Sequence, residues 1–216
     1  MRLAAAAMAG AMTAAAAAQE PPFRFEITPY AGYRIGGEFE QSESEDGDAN
    51  GRSFELDEGN AQGLIVDILT SAGNSQWEVL YAHQDTNVET LTSFVGAPEL
   101  DIDVSHLQFG GTYFPEDDSE AIAPFIALTA GLARFEPDLD GLEAENYFSW
   151  SLGGGVQLRA NRRIGVRLEA RVFGSLIDDD SALFCVVSPE VNSCALFVEG
   201  DQLYQFEARV GVVARF

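Results

Sequence analysis

The last eleven residues, Phe206 to Phe216, alternate with a period of two. Phe206, Ala208, Val210, Val212, Ala214 and Phe216 fall on one face. Glu207, Arg209, Gly211 and Arg215 fall on the other, with Val213 the one exception. Such alternation specifies a strand with one face in an apolar medium and one in a polar space. A frayed strand of this kind would expose its apolar face. It is therefore expected to be paired, and pairing with the first strand of the chain would close a sheet.

The other end is expected to be removed. Met1-Arg2-Leu3 supplies a positive start, an alanine-rich apolar run follows, and Ala16-Ala17-Ala18 fits the small-residue rule for cleavage before Gln19. The run lacks bulky residues and leads into Gln19-Glu20-Pro21-Pro22, which argues against a membrane helix. Residues 1–18 are thus read as a cleaved signal peptide and 19–216 as one domain. The residue directly after the cleavage site is Gln19 and not Cys, which argues against a lipoprotein. No later stretch has the ~20 consecutive apolar residues that a membrane helix requires. Cys185 and Cys194 are the two cysteines. In an exported chain a lone nearby pair is expected to form a disulfide. Closing a loop of about ten residues would stabilise the fold by a little under 3 kcal/mol. With no His or further Cys beside them, a metal site is disfavoured there.

The chain carries 35 acidic and 12 basic residues, a formal charge of −23, and every basic residue is Arg. That balance excludes a nucleic-acid partner, which needs a basic footprint, and a polybasic membrane anchor. The acids concentrate in connectors: Glu38 to Asp48, Glu136 to Glu145, and Asp178-Asp179-Asp180.

Eight strand-like segments can be counted, from Phe23–Ile35 to the C-terminal strand. Short connectors (Thr70–Ser75, Pro115–Ala121, Ala160–Arg163) alternate with long ones (Gly36–Arg52, Asp85–Glu99, Glu136–Asn146, Asp178–Asp201). Four long and three short links suit eight strands running up and down. Pro29 lies within the first strand and suits a bulge or a sheet seam. On the fourth strand the apolar parity switches at Ser105, which suggests a bulge or a strand leaving its apolar surroundings.

Four segments carry a resemblance: Ile27-Thr28-Pro29-Tyr30-Ala31-Gly32-Tyr33-Arg34, Ser151-Leu152-Gly153-Gly154-Gly155-Val156, Arg167-Leu168-Glu169-Ala170-Arg171, and the terminal Phe216. Over essentially the whole of 19–216 the chain resembles the eight-stranded outer-membrane β-barrels, the OmpA/OmpX-like small barrels. The resemblance implies an all-β, antiparallel, up-and-down transmembrane barrel in a Gram-negative outer membrane, with short periplasmic turns and long surface loops. It implies outer-membrane lipid, lipopolysaccharide and the barrel-assembly machinery as partners, with Phe216 as an assembly signal. It implies an architecture and not an activity.

Arg167, Glu169 and Arg171 are expected inside, facing Glu207 and Arg209, with Arg24 and Glu26 facing the last strand across the seam. An eight-stranded barrel is just wide enough for side chains to fill it, so these charges are expected to form an ion-paired plug. A narrow ion path is the alternative. In the first long connector Asp46, Asp48, Asn50 and Asp57 match the spacing of a calcium loop, with Asp57 at its twelfth position. An acidic solvated loop is the favoured reading of the same residues, since Asp, Asn and Gly are ordinary turn residues and no helices flank the motif, and no other cofactor is expected. Ser105 and His106 are adjacent and so point to opposite faces of a strand, which argues against an enzyme. His83 and His106 could meet across the hairpin of the third and fourth strands, and such a pair would merit a metal test. The functional expectation is a structural or surface-interaction barrel, through membrane integrity or adhesion to host or cell-surface ligands. A narrow solute channel, a lipid-modifying enzyme and a soluble lipocalin-like barrel are the alternatives.

Overall fold

The computed structural model describes residues 25–40, 53–70, 73–89, 99–115, 121–138, 144–177, 182–188, 191–197 and 202–216. The expected signal peptide and Arg24 lie outside them. Among the described residues twelve strands occur in chain order. They are β1 (Phe25–Gly36), β2 (Glu38–Glu40), β3 (Ser53–Glu55), β4 (Gly59–Leu69), β5 (Ser75–Glu89), β6 (Glu99–Tyr113), β7 (Ile122–Pro137), β8 (Glu145–Arg159), β9 (Ile164–Leu176), β10 (Ala182–Ser188), β11 (Val191–Phe197) and β12 (Gln202–Arg215). Eight of them close a barrel in the order β1-β12-β9-β8-β7-β6-β5-β4. The pairs β2/β3 and β10/β11 form two separate two-stranded sheets, the first across the Gly36–Arg52 connector with β3 just beyond its end, the second within the last long connector.

Closure is antiparallel between β1 and β12, with Glu26 opposite Arg215 and Arg34 opposite Glu207. The Phe216 N–H donates to the Phe25 carbonyl at 3.0 Å, and the two rings stack 5.2 Å apart. Pro29 lies at this seam. The register is the same on both sides of it, so no bulge is present.

The alternation decides which face meets what. In the middle of the barrel the outward positions are apolar: Leu107, Phe109, Leu128, Leu132, Val210 and Val212 are all exposed, Leu128 at 60 %. A continuous belt of this kind has no place on a soluble protein. The inward residues in the middle of the barrel include many polar and charged ones, Gln108 on β6, Thr129 on β7, Glu169 and Arg171 on β9, and Glu207 and Arg209 on β12, beside small ones such as Ala127 and Ala133 on β7. This is the reverse of a lipocalin-like barrel, and the soluble alternative fails on it. No helix among the described residues is long and apolar enough to cross a membrane, so crossing falls to the strands.

On β6 the parity never changes, because its register with β5 runs unbroken from Ser75–Tyr113 to Glu89–Glu99. What inverts is polarity. Leu107 and Phe109 face out below Ser105, whereas above it the outward residues are Asp101 and Asp103, and the inward ones Ile102 and Val104. Neighbouring strands do the same, with Phe135 and Tyr147 turned in and Glu136 and Asn146 turned out. The barrel therefore rises beyond its apolar belt as a wall with an apolar inside, as a strand leaving lipid must.

Candidate functional site

The lumen is packed with charge. Its buried ionisable residues include five carboxylates (Glu26, Asp67, Glu78, Glu169, Glu207) and five guanidiniums (Arg34, Arg167, Arg171, Arg209, Arg215). The two sets balance, so the −23 of the whole chain is carried outside the plug. Buried charges require such pairing.

Glu169 is the hub. Its Oε1 accepts from Arg171 Nε at 2.6 Å and Arg209 Nη2 at 2.7 Å, and its Oε2 accepts from Arg167 Nε at 2.8 Å. Glu78 is the second centre. It accepts from Arg171 Nη2 at 2.6 Å, Arg167 Nη2 at 2.9 Å and the Thr112 hydroxyl at 2.5 Å. Asp67 stands directly opposite Glu78 on the neighbouring strand. Arg167 reaches both, donating to Asp67 Oδ2 at 3.2 Å. Arg171 also donates to Thr129 and Ser151 at 3.1 Å, which ties the hub to β7 and β8.

Two further pairs flank this cluster, the first linked to it by a 3.5 Å contact between Arg209 Nη1 and Glu207 Oε1. Arg34 donates to Glu207 Oε2 from Nη2 at 2.6 Å, and Arg215 donates to Glu26 Oε1 at 2.6 Å. Aromatic faces cover the guanidiniums: Phe125 lies 4.2 Å from Arg167, Phe173 4.6 Å from Arg34, and Tyr30 4.6 Å from Arg209. Towards the short turns the lumen is closed by Phe114, Ala123, Phe125 and Ala127.

Of the residues singled out from the sequence, Glu169 meets Arg209 as well as Arg167 and Arg171. Arg171 stands opposite Glu207 in the register but turns to Glu169 and Glu78, and Glu207 is taken by Arg34. Arg34, Asp67, Glu78 and Arg215 are plug residues that the expected set omits. Arg34 and Arg215 share the polar parity of their strands and were visible in that sense. Asp67 sits in the apolar run Gly63 to Leu69, where alternation is weak.

The histidines do not meet. His106 is fully buried in the lumen, its Nδ1 3.2 Å from the Ser149 hydroxyl, whereas His83 points outward on β5. Parity forbids the pair: the residue opposite His83 is Ser105, and His106 is opposite Ala82. The outward register instead builds a chain of contacts that sequence reading missed. His83 Nδ1 lies 2.9 Å from Ser105 Oγ, and His83 Nε2 lies 2.9 Å from Asp85 Oδ1. Asp103 stands opposite Asp85. Desolvation and the adjoining Asp85 carboxyl raise the exposed Asp103 carboxyl above its ordinary value.

The Ser105–His83–Asp85 chain resembles a nucleophile relay in its order alone. Acyl transfer also needs N–H donors aimed at an oxyanion. Ser105 stands in the ladder opposite His83 on one side and Arg134 on the other.

Of the candidate calcium loop, Asp46, Asp48 and Asn50 lie outside the described residues. Asp57 is exposed at the foot of β4, where its N–H donates to the Asn87 carbonyl at 2.9 Å. In the β10/β11 hairpin the register sets Cys185 opposite Cys194.

No curated protein matches the sequence. Solved structures share the fold. The surface protein NspA of Neisseria is 13 % identical, with a TM-score of 0.57 over 89 % of this chain and 97 % of its own. OprG of Pseudomonas aeruginosa is 12 % identical, with a TM-score of 0.59 over 90 % of this chain and 96 % of its own. The outer membrane protein AlkL, solved in lipid bilayers, is 11 % identical, with a TM-score of 0.56 over 100 % and 97 %. The family described as the outer membrane protein beta-barrel domain matches residues 3–216. With an eight-stranded antiparallel barrel belted by apolar side chains, the chain belongs to that family and is a protein of the bacterial outer membrane.

Proposed function

We propose that this protein is a non-conducting barrel that acts at the cell surface, supporting the membrane and presenting its long connectors to outside ligands. The observation that carries the reading is the plug. Five guanidiniums and five carboxylates, cross-linked from β1, β4, β5, β9 and β12, occupy the lumen where a solute path would run. A narrow channel is the less supported reading for that reason. Phe216 serves in this account as the segment read by the barrel-assembly machinery. Cys185 and Cys194 form a disulfide that staples the last surface hairpin, and outer-membrane lipid and lipopolysaccharide surround the wall. Calcium in the Asp46–Asp57 loop is a separate proposal with no support beyond its spacing.

The binding element proposed is the β10/β11 hairpin, which forms a sheet of its own apart from the barrel. Its sequence is apolar, with Phe184, Val186, Val187, Val191 and Leu196-Phe197, in an otherwise acidic set of connectors. Apolar surface exposed on a soluble face marks contact sites. Excising residues 186–191 is expected to abolish adhesion of expressing cells to host or neighbouring cells while the unfolding midpoint of the barrel stays within experimental error. Adhesion that survives the excision would remove the hairpin as the binding element and leave a plain structural barrel.

A further inference from the structure

One arrangement occurs twice in this barrel, once inside and once outside. Inside, Asp67 and Glu78 stand directly opposite across β4 and β5, and Arg167 reaches both carboxylates. Outside, Asp85 and Asp103 stand directly opposite across β5 and β6. Like charges so placed destabilise a strand pair. Among the described residues no arginine pairs with either of these two. Arg134, which faces outward on the adjoining strand, is held by Glu136 at 3.0 Å. What stands beside the two carboxylates is an imidazole. His83 Nε2 lies 2.9 Å from Asp85 Oδ1, and one ligand atom from each of His83, Asp85 and Asp103 falls within 4.8 Å of the others.

We propose that His83, Asp85 and Asp103 bind a divalent transition-metal ion of the zinc class on the outer wall of the barrel. The ion supplies outside the positive charge that Arg167 supplies inside. One imidazole nitrogen and two carboxylates suit such an ion better than calcium or magnesium, which take oxygen ligands alone. Ser105 completes the case. Its hydroxyl lies 2.9 Å from His83 Nδ1, so an Nδ1–H donated to Ser105 leaves the Nε2 lone pair for the metal. Metal-bound histidines are oriented by second contacts of this kind. Three protein ligands leave a further coordination position open on the outward side.

The location gives the site a role. Immediately below it on the same face the outward residues are Tyr81 and Leu107, which belong to the apolar belt. The ion would therefore clamp β5 to β6 where these strands emerge from the lipid. This proposal is independent of the lumen plug, and each can fail alone.

The test is calorimetric titration of Zn²⁺ into the full chain, refolded in zwitterionic micelles and stripped with chelator. The account expects saturable binding of one ion per chain. His83→Gln and Asp103→Asn should each weaken it at least tenfold, while Asp46→Asn/Asp48→Asn in the first connector leaves it unchanged. All these substitutions lie outside the plug, and an unaltered heat-modifiable gel shift verifies that each variant folds. Absence of saturable Zn²⁺ binding by the unaltered chain would overturn the proposal. So would one-ion binding that survives both His83→Gln and Asp103→Asn.

Discussion

Replacing Glu169 by alanine is expected to destabilise the folded barrel by about 3–5 kcal/mol, the usual cost of stranding a partner of a buried ion pair. Three arginines converge on this carboxylate, from positions 167, 171 and 209. Arg167 and Arg171 retain Glu78 after the change, and Arg167 also retains Asp67. Arg209 keeps only a 3.5 Å contact with Glu207, which Arg34 already occupies. The loss therefore falls chiefly on Arg209, which is buried against Tyr30. Glu169→Gln retains the shape and an acceptor and should cost less than the alanine. The measurement is the urea midpoint of the protein refolded in lipid vesicles. An unchanged midpoint for Glu169→Ala would mean that water, not the carboxylate, satisfies these guanidiniums.

The second large effect is expected at the three consecutive glycines of β8, and it should differ sharply among them. A Cβ at Gly155 would lie 1.9 Å from the Leu168 carbonyl oxygen and 2.9 Å from the Glu169 Cα, both backbone atoms of β9. A Cβ at Gly153 would lie 2.3 Å from Glu169 Oε1 and 2.8 Å from Arg171 Nε, atoms of side chains held in the plug. A Cβ at Gly154 meets only the Phe125 carbonyl oxygen, at 3.4 Å. Backbone has nowhere to go in a closed barrel, whereas a side chain can shift at the expense of its ion pairs. Gly155→Ala should therefore destabilise most, at or above the roughly 1–3 kcal/mol typical of overpacking. Gly153→Ala should follow, and Gly154→Ala should stay near neutral. Equal effects at all three positions, read by the same urea midpoints, would contradict the close β8/β9 approach.

Much of the architecture was legible in the sequence because a barrel writes its two faces into a period of two. The faces of β8, β9 and β12 could be read residue by residue, and the alternating connector lengths fixed the number of barrel strands. Parity, however, says nothing about register. Arg171 reaches Glu78, 93 positions away, because β5 lies across the lumen from β9, and no local pattern announces such a pair. The His83–Ser105 contact escaped for the same reason, since it depends on the residue opposite His83 being 105 and not 106. The change at Ser105 shows another limit. The same apparent switch of parity arises from a bulge or from a strand passing out of lipid, and only the unbroken ladder of β6 with β5 decides between them.

Glu207 offers a last case of the same kind. Its sequence position puts it inside, but its partner is Arg34 from the first strand, brought alongside by barrel closure. The seam between the first and last strands is thus held by ion pairs at two levels, Arg34–Glu207 and Glu26–Arg215, as well as by the backbone ladder.

Planar-bilayer recording on the purified, refolded protein tests the plugged lumen most directly. The account predicts no discrete conductance steps from the unaltered chain under moderate applied voltage and salt. Reproducible single-channel openings from the unaltered chain, at protein levels where a control barrel known to be closed is silent, would contradict it.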